Sequence, residues 1–215
     1  LSDCLIRTCL KLVSEQMGVS TDGFAVIAMG KLGGEELNYS SDIDLVLIAE
    51  HSAMRFQRLS TRLIEVLGRV TEEGFLYRVD MRLRPWGRSG SLVTSLPGYV
   101  QYFRDNARDW EKQALLKARA IAGDMALGES MLEQVESHLY LASPEAVRTS
   151  VQKMKERTEL QLRRRGRDWG QVKLGVGSIQ WRHGRRSRKG SYHVARGYNK
   201  ACLLYTSDAA DERSS

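Results

Sequence analysis

The residues best suited to chemistry lie in GKLGGEELNYSSDIDL, at positions 30–45, and at Asp80. Asp42 and Asp44 are two apart at the head of the apolar run DIDLVLI, so on a strand both side chains leave the same face. Asp80 falls in FLYRVDMRL, a second run that alternates as a strand does, and it can lie beside the first two carboxylates. Three carboxylates meeting at one sheet edge repel one another unless cations sit between them, and hard oxygen ligands suit Mg²⁺. Two such ions, roughly 3.5–4 Å apart, can clamp the attacking and leaving oxygens of an in-line phosphoryl displacement. The pair Gly33 and Gly34 lets the backbone approach phosphate oxygens closely, and Ser40 or Ser41 adds a hydroxyl. A P-loop is excluded, because Lys31 precedes Gly33 where that motif needs its lysine after the second glycine. Asp-x-Asp alone also serves as a solvated turn or a cap. The combination with the glycine pair and a third strand aspartate points instead to nucleotidyl transfer.

These residues need a sheet to position them. Ser2 or Asp3 can cap a first helix with Leu5, Cys9, Leu12, Val13 and Met17 on its apolar face, and Gly18 ends it. FAVIAMG, at 24–30, is a buried strand that runs into the glycine turn, and DIDLVLI is the next strand. A helix over 55–70 presents Phe56, Leu59, Leu63, Leu67 and Val70, and a third strand spans 75–83. Strand, turn, strand, helix, strand makes an α/β unit. Beyond Ser95 the pattern is helical: Ser95 with Pro97 opens one helix that the 110–118 stretch continues, Asp124 caps another, and Ser143 with Pro144 opens a last one that ends near Gly166. The expected division is therefore a leading helix over 1–20, an α/β domain over 21–95 and a helical extension over 96–179.

Composition bounds the reading. With 42% hydrophobic and 27% charged residues and three prolines in 215, the chain is neither collagenous nor disordered. The net charge of +7 would suggest a polyanionic partner, but it is unevenly placed. Residues 1–162 hold 20 basic and 22 acidic side chains, and residues 163–215 hold 13 and 4. Three cysteines without CxxC spacing encode neither a disulfide framework nor a zinc site, which favours a reducing, cytoplasmic setting. No apolar run reaches the roughly 18 residues of a membrane span, no signal-peptide core is present, and a start at Leu1 suggests a piece of something longer.

Three blocks together carry a resemblance: residues 30–45, YRVDMRLRPWGRSGSLVTS at 77–95, and ARDWEKQALLKARAIAGD at 107–124. Over residues 21–179 the chain resembles the bacterial glutamine synthetase adenylyltransferase and adenylyl-removing enzymes. The resemblance implies a polymerase β-type nucleotidyltransferase domain, a mixed sheet with flanking helices, followed by a helical extension. It implies an enzyme that attaches AMP from ATP to a tyrosine of glutamine synthetase, or removes it by phosphorolysis to release ADP. SSDIDL and the Trp-Gly after RLRP lie closer to the AMP-removing type. Carried over by position, Asp42, Asp44 and Asp80 are the catalytic, metal-holding carboxylates, with two Mg²⁺ ions. Gly33, Gly34 and Ser41 match the phosphate side, Arg82 and Arg84 the RLRP segment, and Lys117 and Arg119 lie within reach of a nucleotide. Implied partners are glutamine synthetase as substrate and, in the full-length enzyme, the PII nitrogen-signalling protein, with no membrane and no nucleic acid.

The likeness stops after Ile179. Residues 180–215 show no helical or strand period, cluster Arg and Lys without acidic partners, and end in CLLYTSDAADERSS, which reads as out-of-frame translation. An alternative function uses this basic tail, with Trp181, Tyr192 and Tyr198 as stacking platforms, to bind nucleic acid on a degenerate nucleotidyltransferase scaffold.

Overall fold

The computed structural model describes residues 1–39, 41–139 and 144–166. Contacts divide the chain into two compact units, Leu1–Leu139 and Tyr140–Ser215. The first unit opens with helix α1, Ser2–Met17, closed by Gly18 in the left-handed region at φ 62°. The Gly18 and Val19 N–H groups donate back to Glu15 and Ser14, which satisfies the carbonyls that a helix end leaves bare. α1 buries Ile6, Cys9, Leu10 and Val13. Leu12 and Met17, expected on the apolar face, are exposed, because the buried stripe runs through Ile6 and Leu10 instead. Burial pushes the Cys9 thiol up from its ordinary value, so Cys9 is a core side chain rather than a nucleophile.

Strand β1, Phe24–Met29, is buried at every position and lies between two partners. Strand β2, Ile43–Ala49, pairs with it antiparallel, Phe24 opposite Ala49 and Met29 opposite Asp44. Between them Gly30–Gly33 forms the single-turn helix α2. A 3₁₀ turn over Ala53–Phe56 leads into α3, Gln57–Gly68, which buries Leu59, Leu63 and Leu67 beside Phe56 as its period predicts. Val70 lies past the helix end and is exposed. Strands β3, Val79–Asp80, and β4, Val93–Ser95, both run parallel to β2, at Ile43–Asp44 and Leu47–Ala49 respectively. The third strand is thus far shorter than the alternation over 75–83 suggests. Phe75 and Leu76 are exposed, because Thr71–Gly74 closes a tight turn and pairing with β2 begins only near Ile43.

Helix α4, Leu96–Asp105, starts as expected, with Ser95 Oγ accepting from the Gly98 N–H at 3.3 Å and Pro97 in its first turn. It is not continued through 110–118. Helix α5, Asp109–Leu115, is separate, and Arg119–Gly123 is a fifth strand, β5, antiparallel to β1. The mixed sheet therefore draws a strand from beyond Leu96, the position at which the sequence suggests a boundary. Helix α6, Met125–Leu139, is capped by Asp124, whose Oδ1 accepts from the Leu127 N–H at 3.0 Å. One face of the sheet sends Phe24, Val26, Ile43, Leu45 and Leu47 into a core with α1 and α3. On the other face α6 packs on β1 and β5, and α4 packs on α6. The result is a mixed α/β layer with helices on both sides. The second unit contributes helix α7, Pro144–Arg164, with Gly166 just beyond it at φ 61°. Ser143 and the whole 167–215 stretch, including the basic tail, lie outside the described residues.

Candidate functional site

Alternation along β2 sends Ile43, Leu45 and Leu47 into the α1–α3 core, so Asp44 faces the opposite side, and Asp42 shares that side two residues earlier. The parallel register of β3 sets Asp80 directly opposite Asp44. The strand register thus brings Asp44 and Asp80 to facing positions, and Asp42 precedes β2. Asp42 and Asp80 are each paired with an arginine. Arg78 Nε donates to Asp42 Oδ1 at 2.6 Å. Arg82 Nε donates to Asp80 Oδ1 and Oδ2 at 3.0 and 2.7 Å, its Nη2 makes a further short contact with Oδ2, and its backbone N–H donates to Oδ1 at 2.8 Å. This fork holds the Asp80 carboxyl below the usual carboxylate range against the opposing pull of burial. Asp80 is only 14% exposed, whereas Asp42 is 49% exposed.

The glycine turn lies against the same carboxylates. β1 ends at Met29, opposite Asp44, and Gly30 follows at φ 54°. A Cβ on Gly30 would sit 2.7 Å from Asp44 Oδ2, so bare backbone there leaves room beside the carboxylate. Gly30 was not among the residues expected from sequence, although its place at a strand end before KLGG is a signal for it. Gly33 and Gly34 serve closer neighbours. A Cβ on Gly33 would lie 2.3 Å from the Lys117 carbonyl oxygen and 2.7 Å from that of Ala28, and one on Gly34 would lie 2.9 Å from Lys117 Cδ. Ser41 is half-buried between this turn and Asp42, and Ser40 lies outside the described residues.

The other expected contacts are engaged inside the fold. Lys117 Nζ donates to Glu36 at 2.7 Å. Arg119 donates from Nε to the Gly33 carbonyl at 3.0 Å, from Nη2 to that of Leu32 at 3.1 Å, and from both Nη atoms to Asp3 at 2.5 and 3.1 Å. It therefore ties β5, the glycine turn and α1 together. Arg84 donates to the carbonyls of Met81, Arg88 and Gly90 and so shapes the loop after Asp80. That loop holds Trp86 at φ 62°, its ring edge-on to Tyr102 with centroids 5.0 Å apart. In α5, Glu111 is buried and its neighbour Trp110 is 40% exposed. The reason is that Glu111 accepts from the Arg108 N–H at 2.9 Å and the Tyr102 hydroxyl at 2.7 Å, which turns that side of the helix inward.

Hard oxygen donors on a sheet edge suit a divalent cation in kind. Among the described residues no three His, Cys, Asp or Glu side chains stand close enough to hold an ion as they are. Asp42 and Asp80 are each turned to an arginine. A cleft of about 510 Å³ lined by Arg7, Lys11, Thr21 and Gly123 lies at the opposite end of β1, next to Ala25 rather than Gly30.

A family model described as glutamate-ammonia ligase adenylyltransferase matches residues 1–134, which span the sheet and all three carboxylates. The chain belongs to the glutamate-ammonia ligase adenylyltransferase family. The resemblance carried by the three sequence blocks is thereby borne out. The bifunctional glutamine synthetase adenylyltransferase/adenylyl-removing enzyme of Hahella chejuensis (strain KCTC 2396) is 40% identical over 192 residues, covering 78% of this chain and 19% of that protein. The enzyme of the same description from Pseudomonas syringae pv. tomato is 41% identical over 172 residues, with 72% and 17% covered. That of Xanthomonas campestris pv. campestris (strain B100) is 36% identical over 199 residues, with 83% and 21% covered. The chain thus spans about a fifth of the length of these adenylyltransferase relatives. No helix among the described residues is long and apolar enough to cross a membrane.

Proposed function

We propose that this adenylyltransferase-family chain is a nucleotidyltransferase unit of the polymerase β type that controls glutamine synthetase. It removes AMP from the adenylylated tyrosine by phosphorolysis, attaches AMP from ATP, or does both. The observation that carries this reading is the register pair Asp44 and Asp80, with Asp42 on the same face, beside the open backbone of Gly30. In either direction the nucleophile attacks the α-phosphorus in line. Phosphate displaces the tyrosine oxygen and ADP leaves, or a tyrosine hydroxyl displaces pyrophosphate from ATP. A divalent cation held by Asp42, Asp44 and Asp80 would supply neutralisation of the charge that builds on the phosphate oxygens; we read it as Mg²⁺, with two ions.

The chain's own residues hold this edge in shape. Strand pairing fixes Asp44 and Asp80, Gly30 keeps space beside Asp44, and Arg119 and Lys117 brace the glycine turn from β5 and the loop before it. Arg84 sets the loop from which Arg82 projects. Gly33, Gly34 and Ser41 remain the candidates for the phosphate side, through backbone N–H groups and a hydroxyl. The catalytic unit on this reading extends through β5 and α6, the full-length enzyme would take PII as a further partner, and the setting is cytoplasmic, which the free Cys4 and Cys9 favour. The nucleic-acid alternative rests on a tail outside the described residues, and no observation favours it.

Incubation with adenylylated glutamine synthetase, Mg²⁺ and phosphate should release ADP, and incubation with the unmodified enzyme and ATP should report the other direction. Absence of both, under conditions where a full-length relative works, would refute the proposal for this chain. Asp44→Asn keeps the side-chain volume and should reduce turnover at least a hundredfold with an unchanged melting profile; retained turnover removes Asp44 from the catalytic set.

A further inference from the structure

The carboxylate face brings its own cations. Two residues before Asp44 and Asp80, Asp42 stands beside Arg78, whose backbone carbonyl accepts from the Ile43 N–H at 2.9 Å. Arg78 was not among the residues expected from sequence, and its side chain meets Asp42 at 2.6 Å. Arg82 grips Asp80 through Nε and Nη2, and it also feels the charges of Asp44 and Asp42. Five charged groups thus form one array, three negative and two positive. The arginines occupy carboxylate oxygens that a hard cation would need, and one oxygen lone pair cannot serve both. Both guanidiniums are on the wet side of the array, 59% and 63% exposed, and the Arg78–Asp42 pair, open to water on both sides, is of the weak kind. Their long stems let them leave without disturbing β2 or β3, whose pairing is through the backbone.

We infer that Arg78 and Arg82 are stand-in cations that a divalent metal must displace from Asp42 and Asp80, and that the displaced guanidiniums then turn to the phosphate chain of the nucleotide. The inference rests on the proposed reading of Asp42, Asp44 and Asp80 as metal-holding residues. Metal and nucleotide binding are then coupled, because the metal frees the forks that the phosphates use, and the coupling is reciprocal. A guanidinium matches phosphate oxygens two at a time, which suits this second role. The consequence is opposite in sign for the two ligands. Losing either arginine removes a competitor of the metal and a partner of the nucleotide.

The test uses the full 215-residue chain, with Mn²⁺ alone titrated by the electron paramagnetic resonance of the free ion and ADP titrated calorimetrically at saturating Mn²⁺. Arg78→Gln and Arg82→Gln should each tighten Mn²⁺ roughly two- to fivefold, the scale of an exposed ion pair. Each should weaken ADP roughly tenfold, the scale of a charge-assisted hydrogen bond. Arg88→Gln removes the same charge from a residue that acts on Asp80 through space, and should tighten Mn²⁺ by less. Asp44→Asn should abolish Mn²⁺ uptake. If Asp44→Asn does so but the arginine variants leave Mn²⁺ unchanged or weaker, or Arg88→Gln tightens it as much, displacement is wrong while the metal reading stands. Unmoved ADP affinity in the arginine variants overturns displacement in the same way. If the wild-type chain takes up no Mn²⁺, or Asp44→Asn binds it equally, the metal reading itself fails and the inference with it.

Discussion

Gly30 separates two costs that a Gly→Ala change usually mixes. At φ 54° alanine pays the left-handed penalty of about 1–2 kcal/mol, and its Cβ also meets Asp44 Oδ2 at 2.7 Å. Gly18, at φ 62° with nothing within 4 Å of its Cβ position, has the first cost alone. Gly18→Ala and Gly30→Ala should therefore both lower the melting temperature, whereas only Gly30→Ala should lower ADP release; equal effects on turnover would show that Gly30 serves the backbone only. Asp80 gives a pH prediction. Its folded carboxyl is held low, chiefly by Arg82, so its stabilisation is complete above the unfolded value of about 3.9 and is lost as pH falls through the lower folded value. The stability difference between wild type and Arg82→Gln, measured by urea unfolding, should be constant from pH 7 to 5 and close below about pH 4. The aspartates were legible in the sequence because alternation has a period of two whatever surrounds the strand. Arg78 shows the same alternation with Asp80, but its opposition to Asp42 depends on register between strands 36 residues apart, which no local pattern states.

At the level of elements, the misread stretch is 107–123. ARAIAG is rich in alanine, the best helix former, and nothing local reveals that β1 has a free edge waiting for it. Tertiary pairing overrides propensity there, and Arg119 joins the strand to the rest. Its partners Asp3, Leu32 and Gly33 lie up to 116 residues away, so from sequence it could be read only as a basic residue within reach of a nucleotide. Arg119→Lys keeps the charge but cannot reproduce the fork. It should lower stability by about 2 kcal/mol, on the scale of a partly buried, charge-assisted pair, while Asp3→Asn, which leaves the carbonyl bonds in place, should cost less. Denaturant midpoints check the order; a greater loss for Asp3→Asn would mean that the ion pair, not the clamp on the turn, is what matters. Glu111 makes the corresponding joint between α4 and α5. Helical period assigns the inward position to Trp110, but the carboxylate at the third helical position satisfies a backbone N–H and the Tyr102 hydroxyl, a requirement that periodicity does not weigh.

For the molecule as a whole, the question is where the folding unit ends. The α/β pattern over 21–95 contains four of the five strands, and its apolar runs made it legible as a domain. Yet β1 is buried on both edges, one of them by β5, and the opposite sheet face is closed by Leu127, Met131 and Val135 of α6 with Tyr99 and Phe103 of α4. A chain ending at Ser95 would leave β1 as an open, wholly apolar edge, with Arg119 absent from the glycine turn. Such an edge is a template for pairing with another copy. A chain ending at Leu139 keeps every member of the α1–α3 core and of the opposite face. The expected outcome is a monomeric, cooperatively melting protein for residues 1–139 and an aggregating one for residues 1–95, read by light scattering and circular dichroism. Amide exchange on the longer piece should protect Ala25 to Ala28 most, because both of their strand neighbours are then present. If the shorter piece melts cooperatively with β1 equally protected, the sheet closes without β5, and the functional unit ends where the sequence pattern alone would divide it.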